Sequence, residues 1–365
     1  MNILFISHDS NRAGAQLFLL GLIKWIKFNT EHSVEILVKK DGELCDDLQE
    51  FGNVHLWRND NSFISKITRR VYRAKILKCI KKFLPDLIYS NTVMNGNLLN
   101  ELSFLNKPVL THVHELEYWI NISGKKNMQF NIQYTNKFIA VSKAVKNNLI
   151  YKHSVESEII DVINGFVDPC DDKRSSLYEL LKLPSDSILI GASGGDSWLK
   201  GKDLFIPLAI ETLKHFGTDN VHFVWVGGQM TYELKYDQEK SGYADRIHFI
   251  EHLENAKQYF GDLYLFLMIS REDSFPLVNI EAAAQGVPVL CFDSAGGTPE
   301  FINGRAGAVV PYLDLVAMSD KILELLGDRA KRDELGANAK KESGKYTVDI
   351  IAKRVLGEIR KCANS

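Results

Sequence analysis

Long apolar runs are missing from this sequence. Of its 365 residues 45% are hydrophobic, yet Lys24 interrupts the run at 17–26 and the run at 263–269 is short. A membrane-spanning helix needs roughly 18–20 such residues, so an integral membrane protein is excluded. A cationic leader and a small-residue cleavage site are absent too, and Met1-Asn-Ile-Leu-Phe-Ile-Ser reads as a buried strand instead of a signal peptide. Cysteine is scarce: five residues, odd in number, widely spaced and without CxxC, which excludes a disulfide framework or zinc site and predicts a reduced, cytoplasmic chain. There is no basic excess, since 44 Lys plus Arg face 46 Asp plus Glu for a net charge of −2, which argues against a nucleic-acid partner. Solenoid repeats and low-complexity tracts are also lacking.

The charge is nevertheless uneven. Residues 1–150 carry 20 basic and 13 acidic side chains, or +7, which leaves 24 against 33, or −9, for the remainder. The length exceeds what one hydrophobic core normally serves and predicts two domains. Short β-branched runs (3–7, 34–39, 87–90, 109–112, 137–141) alternate with amphipathic stretches, the rhythm of βαβ units around a parallel sheet. Ser142 is the expected N-cap of a helix that follows. The rhythm breaks at 162–172, the expected linker, and resumes with strands at 187–192, 222–227, 247–250, 263–270 and 288–292, and helices at 203–216 and 277–285. Two doubly wound α/β halves follow, and in such sheets ligands sit beyond the carboxyl ends of the strands.

The loops at those ends hold the unusual residues. SGGDSWLKGKD (193–203) places Gly194 and Gly195 where backbone can approach a ligand, and Lys200 ahead of a helix that can receive phosphate. A solvated connecting loop is the competing interpretation, because neither GxGxxG nor GxxxxGK[ST] is matched. SREDSFPLVNIEAAAQGVPV (270–289) places Asp273 in a loop and Glu281, eight residues on, in the next helix. Carboxylates accept from sugar hydroxyls and helix-terminal amides donate to phosphate, so one loop can hold both ends of a nucleotide sugar. The plainer alternative is an N-cap at Asp273 with Glu281 in solvent. His112 and His114, two apart on a strand, share a face, but no third ligand lies nearby and no metal site is expected.

These motifs resemble the retaining GT4-type family of GT-B glycosyltransferases (glycosyl transferases group 1) over nearly the whole chain. Asp273, Glu281 and the run EAAAQGVPV match its acid-x7-acid and EAxAxGxPV pattern. Lys200-Gly201, FIAVSKAV (138–145), VINGFVD (162–168), HVHEL (112–116) and GGTPE (296–300) match in the same chain order. The resemblance implies two Rossmann-like domains facing across a cleft: an acceptor-side domain at 1–168, a donor-binding domain at 169–345, and a C-terminal helix within 346–365 crossing back. It implies a catalytic set of His114, Lys200 and Asp273. Donor contacts would come from Gly14, Ala15, Gly194, Gly195, Lys200, Asp273, Ser274, Phe275, Leu277, Val278 and Glu281, with Glu281 on the ribose diol and Lys200 on the diphosphate. The implied activity is retaining, metal-independent and cofactor-free transfer of a hexosyl-type sugar from a UDP- or GDP-linked donor to a glycan or lipid-linked oligosaccharide of bacterial surface polysaccharide. A silent sugar-nucleotide-binding homologue and a nucleotide-sugar epimerase are the alternatives; a phosphorylase is disfavoured by length and by the lack of a cofactor-lysine motif.

Two departures matter. The family's usual arginine five residues before the lysine is Gly195 here, which removes a charge-assisted contact to the leaving group unless Lys202, Arg271 or Arg12 replaces it. The first acid of the pair is Asp, one methylene shorter than Glu, and Pro276 removes an amide donor. The segment from Lys66 to Lys82 carries eight cations. Ile67, Val71 and Ala74 form its expected apolar row beside a charged row of Lys66, Arg70 and Arg73. It is either a helix with solvated lysines or a surface for anionic membrane or glycan, which would put the chain peripherally at the inner face of the cell membrane.

Overall fold

The computed structural model describes residues 1–57, 66–167, 175–215, 220–251, 253 and 255–364, with backbone alone at 66–69. Ile67 and Lys66 of the expected rows, and 168–172 of the expected linker, therefore lie outside the described side chains. The chain divides into two compact units, Met1–Phe166 with Val348–Ser365, and Val167–Thr347.

In the first unit the order is β1 (Asn2–Ser7), α1 (Gly14–Asn29), β2 (Ser33–Val38), α2 (Cys45–Gln49), β3 (Asn53–Leu56), α3 (Lys66–Phe83), β4 (Leu87–Ser90), α4 (Gly96–Leu102), β5 (Val109–Val113), α5 (Glu117–Ser123), α6 (Lys125–Tyr134), β6 (Lys137–Ala140), α7 (Lys143–His153) and β7 (Ile160–Val162). The second contains α8 (Leu177–Leu181), β8 (Ile188–Ser193), α9 (Lys202–Leu213), β9 (Val221–Val226), α10 (Tyr232–Lys240), β10 (Ile247–Ile250), β11 (Leu263–Met268), α11 (Leu277–Ala284), β12 (Val289–Phe292), α12 (Thr298–Ile302), β13 (Gly307–Val310), α13 (Leu315–Gly327) and α14 (Arg329–Ser343); α15 (Val348–Ala363) returns to the first unit.

Both sheets are parallel throughout, in the orders β3-β2-β1-β4-β5-β6-β7 and β10-β9-β8-β11-β12-β13. Central strands are covered on both faces, which is why β1, β4, β9 and β12 are nearly continuous apolar runs instead of alternating ones. Helix α15 buries Ile351, Val355 and Ile359, four apart, together with Leu356 in the same core as α1. The Trp25 indole of α1 donates to Asp349 at 2.7 Å and fixes that seam. Ser142 caps α7 as the sequence predicts, its hydroxyl accepting from the amide of Val145.

Helix α3 departs from expectation. Val71 is 53% exposed and Ala74 also faces solvent, while Ile76 and Ile80 enter the core. The buried stripe is thus the one through Ile76 and Ile80, joined by half-buried Tyr72 and Leu77.

In each sheet the strand order reverses next to its first strand, between β1 and β4 and between β8 and β11. Crevices at such switch points, beyond the carboxyl ends, are where doubly wound sheets take ligands.

Candidate active site

At the switch point of the second sheet, the loop after β8 meets the loop after β11. Lys200 reaches across, its ammonium 2.5 Å from the Asp273 carboxylate; the lysine side chain is 33% exposed and the aspartate 12%. Backbone geometry presets the lysine. Gly201 follows it at φ +74° and opens α9, and a Cβ there would stand 2.1 Å from the Ile269 carbonyl oxygen. Only glycine lets this turn close against β11's end.

Asp273 is set by the chain on its other side. Its amide donates to the Ala295 carbonyl at 2.7 Å and its carbonyl accepts from Gly297 at 3.1 Å, which zips the β11 loop to the GGTPE turn after β12. Buried Asn279 on α11 donates to the Thr298 hydroxyl at 2.8 Å and ties that turn to the helix. The alternative N-cap role of Asp273 is not observed. Pro276 occupies the N-cap of α11 and makes no side-chain cap bond. Asp273 spends its backbone on the neighbouring turn and its carboxylate on Lys200, so the opening amides at Leu277 and Val278 lie at a helix start that leaves N–H groups without intrahelical acceptors. Phe275 is buried against Tyr346, Ser274 lies beside it, and Glu281 is half-buried as the fifth residue of α11.

The three cations considered as substitutes for the arginine missing at Gly195 are all engaged. Arg271 makes two bonds to the Asp203 carboxylate at 2.7 and 2.8 Å, another to the Trp198 carbonyl, and stacks over the Trp198 ring. Lys202, with an 8% exposed side chain, bonds to the Gln229 carbonyl at 2.6 Å and to Asp196 at 3.2 Å. Arg12, in the first unit, pairs with Asp47 at 2.8 Å. Gly195 itself faces open space, with nothing within 4 Å of a Cβ built on it, whereas Gly194 packs against Lys200 and Trp225.

In the first unit, the end of β5 and the loops after β1 and β5 gather His8, Asp9, His112, His114 and Glu115. The rings of His112 and His114 lie 4.3 Å apart and both contact Phe18 of α1. Tyr89 and the His112 Nδ1 are 2.6 Å apart. Burial holds His112 well below the usual histidine range and takes His114 to about 3, with His8 adding to the effect on His114. Both are neutral imidazoles near pH 7. Asp9 braces the loop that leads to Gly14 and Ala15, accepting from the Asn11 backbone and side chain and from Gln16. Glu115, which carried no role in the sequence, is buried and pushed up to about 7 by that burial, against hydrogen bonds that pull it down. Among the described residues, no three His, Cys, Asp or Glu side chains group as a metal site. A surface hollow of about 970 Å³ lies elsewhere, between the end of α1 and β3, where no motif falls.

The pattern of the family described as Glycosyl transferases group 1 matches residues 179–342, and that of Glycosyltransferase Family 4 matches residues 29–170. The chain is 23% identical over 354 residues, 89% of its length and 90% of the relative's, to the capsular polysaccharide biosynthesis glycosyltransferase CapM of Staphylococcus aureus. It is 30% identical over 161 residues, 41% of its length and 44% of the relative's, to the lipopolysaccharide core biosynthesis mannosyltransferase LpcC of Rhizobium leguminosarum bv. viciae. Among solved structures, Anabaena HepE in complex with UDP superposes with a TM-score of 0.83 at 20% identity, covering 99% of this chain and all of that one. That likeness carries the fold.

Proposed function

The chain belongs to the group 1 glycosyltransferases with the GT-B fold, and on that premise we propose a retaining, metal-independent transfer of a hexosyl-type sugar from a UDP- or GDP-linked donor to a hydroxyl of a glycan or lipid-linked oligosaccharide in bacterial surface polysaccharide synthesis. The observation behind the donor site is the Lys200–Asp273 pair at the switch point, immediately ahead of α11 and its opening amides. The names of CapM and LpcC support the polysaccharide setting, and the UDP held by HepE supports a nucleotide donor.

In this mechanism the ammonium of Lys200 and the opening amides of α11 meet the charge that grows on the diphosphate as its bond to the anomeric carbon breaks. Asp273, fixed by two backbone bonds, accepts from the sugar hydroxyls, and Glu281 accepts from the ribose diol. The leaving phosphate oxygen takes the acceptor's proton while the acceptor oxygen bonds to the anomeric carbon from the same face. No side chain becomes covalently attached, so preorganised electrostatics supplies the rate enhancement. His114 contributes a neutral imidazole, one donor and one acceptor, in keeping with its depressed pKa. The first unit takes the acceptor, the second the donor.

The exposed face of α3 extends the proposal to a cytoplasmic position against anionic membrane. Arg70, Lys75, Lys78, Lys81 and Lys82 stand on it with exposed Val71, which pairs charge with an apolar contact as an interfacial helix requires. Among the described residues no helix is long and apolar enough to cross a membrane.

A second reading, a homologue that binds sugar nucleotide without turnover, draws on Gly195 and on the engagement of Arg271 and Lys202. Incubation with UDP-, GDP- and TDP-sugars, with and without a glycan acceptor, separates the two. Nucleotide release with at least one donor is expected; binding without release favours the second reading, and neither binding nor release from folded protein removes both.

A further inference from the structure

Glu115 sits one residue past His114, and its carboxylate is buried with no cation bonded to it among the described residues. Three donors surround it instead. One oxygen accepts from the Thr92 hydroxyl, and the other accepts from the amides of His114 at 3.0 Å and Val93 at 3.3 Å. An isolated buried charge is costly, and only such donors make it tolerable. A neutral side chain would be cheaper in a purely structural position, because removing a buried charge without opening a hole is often neutral or stabilising.

What the carboxylate holds together accounts for the expense. The Thr92 hydroxyl, whose proton goes to Glu115, accepts from the Met94 amide and so closes the turn after β4. The residue before it, Asn91, donates to the Ala15 carbonyl at 2.7 Å, at the start of α1. One carboxylate therefore links the loops after β4 and β5, and through Asn91 the glycine loop after β1. The loops after β1 and β4 flank the first sheet's switch point, and the loop after β5 lies next to them.

We propose that Glu115 is a positioning residue of the transfer reaction, which fixes the backbone of His114 and the Gly14–Ala15 segment without touching substrate. The inference rests on the transferase reading above and adds to it the group that keeps the first unit's contribution in register. Because Lys200, Asp273 and Glu281, which are assigned most of the hold on the donor, lie in the second unit, loss of this group falls on the chemical step far more than on nucleotide affinity.

Glu115→Gln keeps the shape but turns one acceptor oxygen into an NH₂, which faces either the Thr92 hydroxyl or the two backbone amides that donate to the carboxylate. In the full chain, at least a tenfold fall in kcat is expected, with KM for the donor and nucleotide Kd within twofold of wild type, and faster hydrogen exchange at the amides of His114 and Val93. Thr92→Val removes the same bond from the other side and is expected to lower kcat, while Thr92→Ser, which keeps the hydroxyl, holds the wild-type rate. Wild-type kcat and exchange in folded Glu115→Gln overturn the proposal. Should that variant not fold, Thr92→Val at the wild-type rate overturns it equally. An absence of turnover in the wild-type chain with every donor is the separate result that removes the transferase reading itself.

Discussion

At the scale of single residues, Gly195 stands where the sequence resemblance leads one to expect an arginine, and that difference is easy to reverse. A side chain placed there meets nothing within 4 Å, and its φ does not call for glycine. Gly195→Arg is therefore expected to fold normally and to restore a second cation to the diphosphate. A charge-assisted bond contributes about 1.5–3 kcal/mol before solvent is considered, and about 1.4 kcal/mol already corresponds to a tenfold tighter nucleotide. Titration calorimetry with the nucleoside diphosphate checks this; unchanged affinity means that the diphosphate lies away from Gly195.

Glu115 yields a second residue-scale prediction, in stability. Its folded-state value is raised from 4.5 to about 7, so the stability it lends is fully present below pH 4.5 and is lost as pH rises through 7. At about 1.4 kcal/mol per unit the loss is on the order of 3 kcal/mol. Glu115→Gln does not titrate, so its melting temperature should gain on wild type between pH 5 and 8; a constant difference contradicts the burial. His114 acts in the opposite sense, since its value is depressed to about 3 and its contribution fades as pH falls below 6.5. Neither behaviour was legible in the sequence. HVHEL marks the place, but the donors that hold Glu115, Thr92 and Val93, lie more than twenty positions away in an ordinary polar turn.

At the scale of elements, apolar runs told strands apart well, because a parallel strand covered on both faces has few polar interruptions. The runs at 263–270 and 247–250 became β11 and β10, and Leu277 begins α11 where expected. Helix α3 shows the limit. It carries two apolar rows, one through Val71 and Ala74 and one through Ile76 and Ile80, and a helix taken alone does not say which the sheet will cover. The cap at Ser142 was legible because capping is local, whereas the absence of one at Asp273 depends on Lys200 and Ala295, both distant in sequence. That Val71 lies outside sharpens the membrane proposal. Replacing Lys78, Lys81 and Lys82 together by Glu should abolish sedimentation with vesicles rich in phosphatidylglycerol at about 0.1 M salt, where charges still act over about 10 Å. Equal sedimentation of wild type and variant contradicts the assignment.

At the scale of the whole molecule, the uneven charge meets an apparent contradiction, since the diphosphate is assigned to the acidic part of the chain. The local structure resolves it. Around the switch point Asp203 and Asp196 are spent on Arg271 and Lys202, and the Lys200 ammonium stands at the mouth of α11. Net charge reports instead on the basic first unit and what it meets. The central claim is that Lys200 and Glu281 hold the donor, and donor turnover by Lys200→Ala and Glu281→Ala beside wild type tests it most directly. Both variants should fold with wild-type melting profiles and lose at least a hundredfold in kcat/KM, about 3 kcal/mol of transition-state stabilisation each. Near-wild-type kcat/KM in both would place the donor elsewhere and contradict the account.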